Sequence, residues 1–466
     1  MKTINTLRQY IILPVILTGI LFIYDSSLVN AQGTPMHDYT SGVQVAHLYT
    51  TGITVTLAAY DEHGAIEGYR LDSVSDIGSR SYITDMPVSN FEGAMVLSSE
   101  EDIAAISNLV DFTQKIGSAY VGSEYGDIEL LIPLLQYQNS GFNSWYSVQN
   151  IGIMDAEVLI QYSDGLTVST TISPGAAKTF YQDQEAHLVN VPSAIISSTN
   201  HQPLVAVVIQ EDSATSFAYT AFSKEHDTAT HPIFPLVNSN NSGYITGIQI
   251  QNAGSMTTTV TVSYTPSAAG NACVQTKAIG PVQAETFALD AFDANGGTED
   301  CQTKNMSNTV PYQFVGAAQV TENTNDMPLV AVVNQLLPGT NGGAYGAFSP
   351  DNATRKVVLP LIMDRNSGYS TGFSISHVSG PAAKVYCTFT GKAYTYEAEL
   401  PIGGVVTPLQ KDEPGLGPEY VGSATCETRN ADDTDSTAEI VAIVNELNFG
   451  SSTDELLVYE GINVEE

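Results

Sequence analysis

A unit of about 100–125 residues recurs along this 466-residue chain. A repeat of domain size must bury a core in every copy, which excludes solenoids built from short stacked units. The first marker is an apolar stretch containing Pro-Leu: Leu131-Ile132-Pro133-Leu134-Leu135, Ile233-Phe234-Pro235-Leu236-Val237 and Val358-Leu359-Pro360-Leu361-Ile362. Asn-Ser-Gly-aromatic follows a few residues later, at Asn139 to Phe142, Asn241 to Tyr244 and Asn366 to Tyr369. An alternating segment comes next, as in Gly247-Ile248-Gln249-Ile250-Gln251-Asn252. The earliest copy, Tyr39 to His47, keeps that segment but lacks the Asn-Ser-Gly.

Period-two alternation gives a strand one buried and one wet face. Second alternating strands read from Ile53 to Tyr60, Ala156 to Tyr162, Thr259 to Tyr264 and Lys384 to Phe389. Later in the unit lie runs apolar on both sides, Pro203 to Val208, Pro328 to Val333 and Ile440 to Val444. Such runs belong to strands packed between layers. A tyrosine-bearing strand closes each copy, at Tyr120, Tyr219, Tyr345 and Tyr459. Six to eight short strands per unit, joined by Gly, Asn, Asp and Ser, predict an all-β chain of antiparallel β-sandwiches. The expected divisions are a segment 1–31, a divergent sandwich 32–128, and sandwiches 129–230, 231–355 and 356–466. Ser98 to Lys115 reads two ways: Ser98 and Glu101 suit a capping box, while the repeat alignment favours strand.

Residues 1–31 read as an export signal. Lys2 and Arg8 precede an apolar run from Tyr10 to Tyr24, and Val29-Asn30-Ala31 supplies small residues for cleavage. Export would place the chain in an oxidising compartment, where its four cysteines form two disulfides. Spacing alone allows three pairings. The repeat alignment puts Cys387 where the third copy has Val262 and Cys426 where it has Val320, both core-facing. This favours a Cys387–Cys426 bridge across the sandwich and leaves Cys273 and Cys301 to staple an insertion.

Sixteen basic against fifty acidic residues give a net charge of −34. That surface excludes nucleic acid as a partner and disfavours anionic membranes. Carboxylates in flexible loops make calcium the one cofactor to consider. The candidates are Asp293, Asn295 and Asp300 in one loop and Asp432, Asp433 and Asp435 in another, neither with EF-hand spacing. Trp145 and Tyr146 are the candidate ligand-binding pair, a stacking platform for sugar weighed against core filling. No catalytic residue is marked out. Gly368-Tyr369-Ser370-Thr371-Gly372 matches a nucleophile elbow, yet a strand follows where the elbow needs a helix. His47 and His377 share a strand-end slot with Asn150 and Asn252, so a polar strand-end role is expected of all four.

The pattern resembles the tandem immunoglobulin-like domains of bacterial secreted and surface proteins, in architecture only. The resemblance implies a structural or adhesive protein, partnered by itself or by other surface proteins. Four sandwiches in series suggest an extended object. Strand addition between chains is one route to assembly, with Gln32 to His37 as a donated strand. The competing expectations are an extracellular carbohydrate- or ligand-binding module and a carboxylate-dependent glycoside hydrolase acting on polysaccharide.

Overall fold

The computed structural model describes residues 12–13, 34–47, 52–74, 78–83, 86–88, 91–288, 300–301, 304, 306–307, 310–311, 313–413, 415–450 and 453–464. Almost all regular structure is antiparallel β-sheet, arranged as four sandwiches. Residues 98–111 are strand and turn, with Ala94–Ser99 and Ile103–Asp111 meeting at a short bend.

Each sandwich pairs two sheets of constant strand order. In the second, Ala177–Tyr181, Asn143–Asn150, Leu204–Glu211 and Ser216–Thr220 form the inner sheet. Thr167–Ile172, Ala156–Tyr162, Ala194–Ser198 and the opening strand Glu129–Ile132 form the outer one, extended by Phe222–Ser223. The third and fourth sandwiches follow the same plan, with opening strands Ile233–Ser239 and Lys356–Asp364. Asn-Ser-Gly forms the hairpin after each opening strand. Ser140 and Gly141, Ser242 and Gly243, and Ser367 and Gly368 all have positive φ, as a two-residue type I′ turn requires. Beyond it, Asn150 and Asn252 end their strands by donating to the carbonyls of Met154 and Ile172, and of Met256 and Ile279. The His377 ring fills the same slot, with Nε2 2.9 Å from the Pro381 carbonyl.

The opening and closing strands of one sandwich are tied by a repeated bond. The hydroxyls of Tyr219, Tyr345 and Tyr459 donate to the carbonyls of Leu134, Leu236 and Leu361, the leucine of each Pro-Leu pair. Burying a tyrosine requires such a partner for its hydroxyl.

The sandwiches close into a ring rather than extending in series. The outer face of each inner sheet caps the core of the preceding sandwich. Trp145, Val207, Ile209 and Ala218 of the second pack into the core of the first. Val330, Val332 and Ala344 of the third do the same to the second. Ile443, Leu456 and Val458 of the fourth cap the third, and Ile106 and Ala119 of the first cap the fourth. The extended arrangement expected from sequence is therefore corrected. An inner sheet apolar on both faces would leave one face wet in a rod, and burial against a neighbour removes that cost. The closing strands Ile116–Val121, Ser216–Thr220, Asn341–Gly346 and Leu456–Glu460 meet around the centre. Glycine permits the approach: a Cβ on Gly343 would collide with Val458, and one on Gly342 with Phe217.

Candidate functional site

The ring seams gather the buried polar groups, and one pair recurs around them. The penultimate strands Leu329–Leu337 and Glu439–Asn448 carry Asn334-Gln335 and Asn445-Glu446 at equal register. The matching positions are Ile209-Gln210 in the second sandwich and Asn108-Leu109 in the first. Asn334 Nδ2 donates to Gln210 Oε1 at 3.0 Å, and Gln210 Nε2 donates back to Asn334 Oδ1 at 3.3 Å. Gln335 and Asn445 exchange the same two bonds, at 3.3 and 3.4 Å. At the seam between the fourth and first sandwiches, Asn108 donates to Glu446 Oε2 at 3.2 Å. Between the first and second, Leu109 and Ile209 share one apolar cluster instead.

Glu446 stands where glutamine stands in the second and third sandwiches. Burial pushes its carboxyl up to about 8, against which the Asn108 amide works. Unlike the two amide pairs, this seam carries a single bond, from the Asn108 amide to the Glu446 carboxyl. Three further acids sit at the seams, and burial is the main cause of each upward shift. Glu211 is raised to about 7 while it accepts from Met36 N–H (2.7 Å), Trp145 Nε1–H (3.1 Å) and Tyr39 (2.9 Å). Glu460, also about 7, accepts the Gly346 N–H. Asp454 is raised well above the carboxylate range. Its carboxylate accepts the N–H of Ser216 and of Gly342, each at 2.7 Å, and its carbonyl accepts Gly117 N–H at 2.9 Å. One residue of the fourth sandwich thus holds the closing strands of the other three.

The residues singled out from sequence lie elsewhere or serve structure. Trp145 is 2% exposed and Tyr146 is fully buried, so neither offers a ring face to a sugar. This corrects their candidacy as a ligand platform. Trp145 packs near Tyr39 and Tyr181 in the seam, and Tyr146 exchanges a bond with Tyr162 at 2.6 Å. Asp293 and Asn295 lie outside the described residues. Asp300 pairs with Lys304 at 3.0 Å and accepts Val274 N–H, which together hold its carboxyl low. Asp432 accepts from Thr434, Asp433 pairs with Lys384 at 2.7 Å, and Asp435 pairs with Arg355 at 3.3 Å. The three therefore face separate partners, and among the described residues no group of three or more His, Cys, Asp or Glu side chains converges as a metal would need. The disulfides join Cys273 to Cys301 and Cys387 to Cys426. Ser370 is buried and accepts the Arg365 N–H at 3.0 Å.

Two arrangements escaped the sequence reading. His187 is buried with Nδ1 3.0 Å from Asp164 and Nε2 2.9 Å from Gln182, pinning the loop after the second sandwich's fifth strand. The Asn-Gln seam left no pattern common to all copies, since the matching positions read Asn108-Leu109, Ile209-Gln210, Asn334-Gln335 and Asn445-Glu446. Met36 and His37, expected as part of a donated strand, are clamped between sandwiches together with Asp38. Met36 N–H donates to Glu211, the His37 ring lies 2.7 Å from the Asp212 carbonyl, and Asp38 N–H donates to Asp111. That segment is not free to leave.

No protein-family model matches the chain, and no curated protein matches it. Among solved structures it is similar to a crystal structure of a tetra-tandem repeat in the extending region of a large adhesion protein. The identity is 12%, over 92% of this chain and 97% of that one, with a TM-score of 0.11. A superposition that poor transfers neither arrangement nor role.

Proposed function

We propose that this chain is an exported structural or adhesive protein of the cell surface or extracellular matrix, with residues 1–31 as a leader removed after Ala31. The observation that carries the reading is the ring itself. The buried acids Glu211, Glu446 and Asp454 are engaged in joining sandwich to sandwich. Two disulfides suit an oxidising compartment. A strongly acidic surface suits solubility outside the cell. The ring acts as a rigid block whose outward sheet edges make contacts with like blocks or with other surface proteins.

The test is expression of the full chain in an exporting bacterial host, followed by fractionation and negative-stain microscopy. Exported, disulfide-bonded, compact four-lobed particles that associate as concentration rises are the expected result. Isolated particles at every concentration, without adhesion of the cells that carry them, would remove self-association and adhesion together. Polysaccharide cleavage abolished by one Asp or Glu substitution would replace the reading with an enzyme.

A further inference from the structure

Three sandwiches complete their outer sheet with an opening strand in a fixed register. Ile132 lies opposite Ala194, Phe234 opposite Ala318 and Leu359 opposite Ala424. Pro and Leu follow in each. In the first sandwich the same place, beside Ala94–Ser99, is taken by Ile12–Leu13. Leu13 lies opposite Met95, which pairs with core-facing Ala59 as Ala194 pairs with Tyr162. Leu13 therefore occupies the position of Ile132, Phe234 and Leu359, and Leu13-Pro14-Val15 matches their Pro-Leu stretch in sequence.

The occupant of this slot comes from the leader that the export reading removes. We propose that in the mature chain the edge Ala94–Ser99 is a strand-acceptor site, and that it takes an apolar extended strand of the Leu-Pro-Leu type from a partner chain at the cell surface. This rests on the export reading. Backbone bonds along an open edge supply affinity and alternate side chains supply selectivity. An open apolar edge also needs a cover, or it pairs at random.

The first sandwich also differs from the other three around this slot. In the other three, the closing tyrosine depends on the carbonyl after the opening proline. Opposite Tyr120 stands Ser107, where the others carry Val208, Val333 and Val444. Trp145 enlarges the face that caps this sandwich, where the second strands of the first, third and fourth copies carry Gly42, Gly247 and Gly372. The same outer sheet is apolar toward solvent. Tyr69 is 70% and Leu71 62% exposed, at positions where the other sandwiches carry Thr167 and Ser169, Val274 and Thr276, or Thr395 and Glu397.

The test uses the exported protein and a synthetic peptide with the sequence of Lys356–Asp364. Intact mass first establishes where the mature chain starts. Hydrogen exchange is then followed with the peptide and with a version carrying Leu359→Lys. The expected result is a chain starting at Gln32 whose amides at 94–99 exchange at least about tenfold more slowly with the first peptide and unchanged with the second. A chain starting at Gln32 with no protection, or equal protection by both peptides, overturns the acceptor site and leaves export intact. A chain that keeps residues 1–31 overturns leader removal, and the open slot with it.

Discussion

Replacing half-buried Asn334 by isoleucine removes one half of a reciprocal pair whose other member, Gln210, is fully buried. Gln210 then loses the donor at 3.0 Å and the acceptor at 3.3 Å, and keeps the Gln136 amide at 3.3 Å. A buried polar group left without partners costs about 1–3 kcal/mol. Gln210→Leu alone should cost a similar amount, because Asn334 is then the orphan. The double variant is different, since it reproduces Leu109 against Ile209, which the seam between the first and second sandwiches already uses. Its stability should return to within about 0.5 kcal/mol of the parent, giving a coupling energy of about 1–3 kcal/mol. The assay is urea unfolding followed by circular dichroism, with Trp145 fluorescence as a second probe. Single variants costing under about 0.5 kcal/mol, or a double variant as unstable as the two singles summed, would refute the claim that the amides hold the seam.

Glu446 should make the ring less stable in mild alkali. Its folded pKa is raised to about 8, so its contribution is complete below the unfolded value near 4.5 and is lost as pH rises through about 8. Glu446→Gln should flatten unfolding midpoints across that window and stabilise the chain at pH 9; an unchanged pH slope would refute it. Asp454→Ala should orphan the N–H groups of Ser216 and Gly342, cost about 2–4 kcal/mol, and speed exchange in the closing strands Ser216–Thr220 and Asn341–Gly346 together, leaving the Gly117 bond to the residue 454 carbonyl in place. Trp145→Ala should cost about 3–5 kcal/mol, read by thermal unfolding. Gly343→Ala should lower the melting temperature by forcing Val458 from its seat, whereas the same change at Gly450, where an added Cβ meets only Asn448 Oδ1 at ordinary contact distance, should not.

Strand content and the disulfide pairing were legible because each depends on local pattern. Alternation exposes the pleat, and aligning the copies paired Cys387 with Cys426; the bridge expected across the sandwich instead joins neighbouring strands of one sheet. The ring was half legible. Runs such as Leu204–Glu211 announce a second buried face, but alternation cannot say which surface covers it. Core filling by Trp145 was one of the two readings weighed, but what covers it was hidden for the same reason: its environment is made by the first sandwich, about a hundred residues away in sequence. Leu13-Pro14-Val15 was hidden by competition between two patterns, since an apolar run suits a leader and a buried strand equally.

The seams join unlike surfaces, a sheet's outer face against a neighbour's open core. Such contacts have no built-in stopping point. They end only when the last unit meets the first, so the number of copies is a boundary condition on the particle. A chain shortened by its fourth sandwich would present the face of Ile106 and Ala119 at one end and the core around Phe234 and Val262 at the other. Those ends suit each other, and nothing within one molecule would bring them together. Truncation should therefore turn a self-limited object into an open chain of molecules, which makes deletion of one repeat more hazardous than unfolding it.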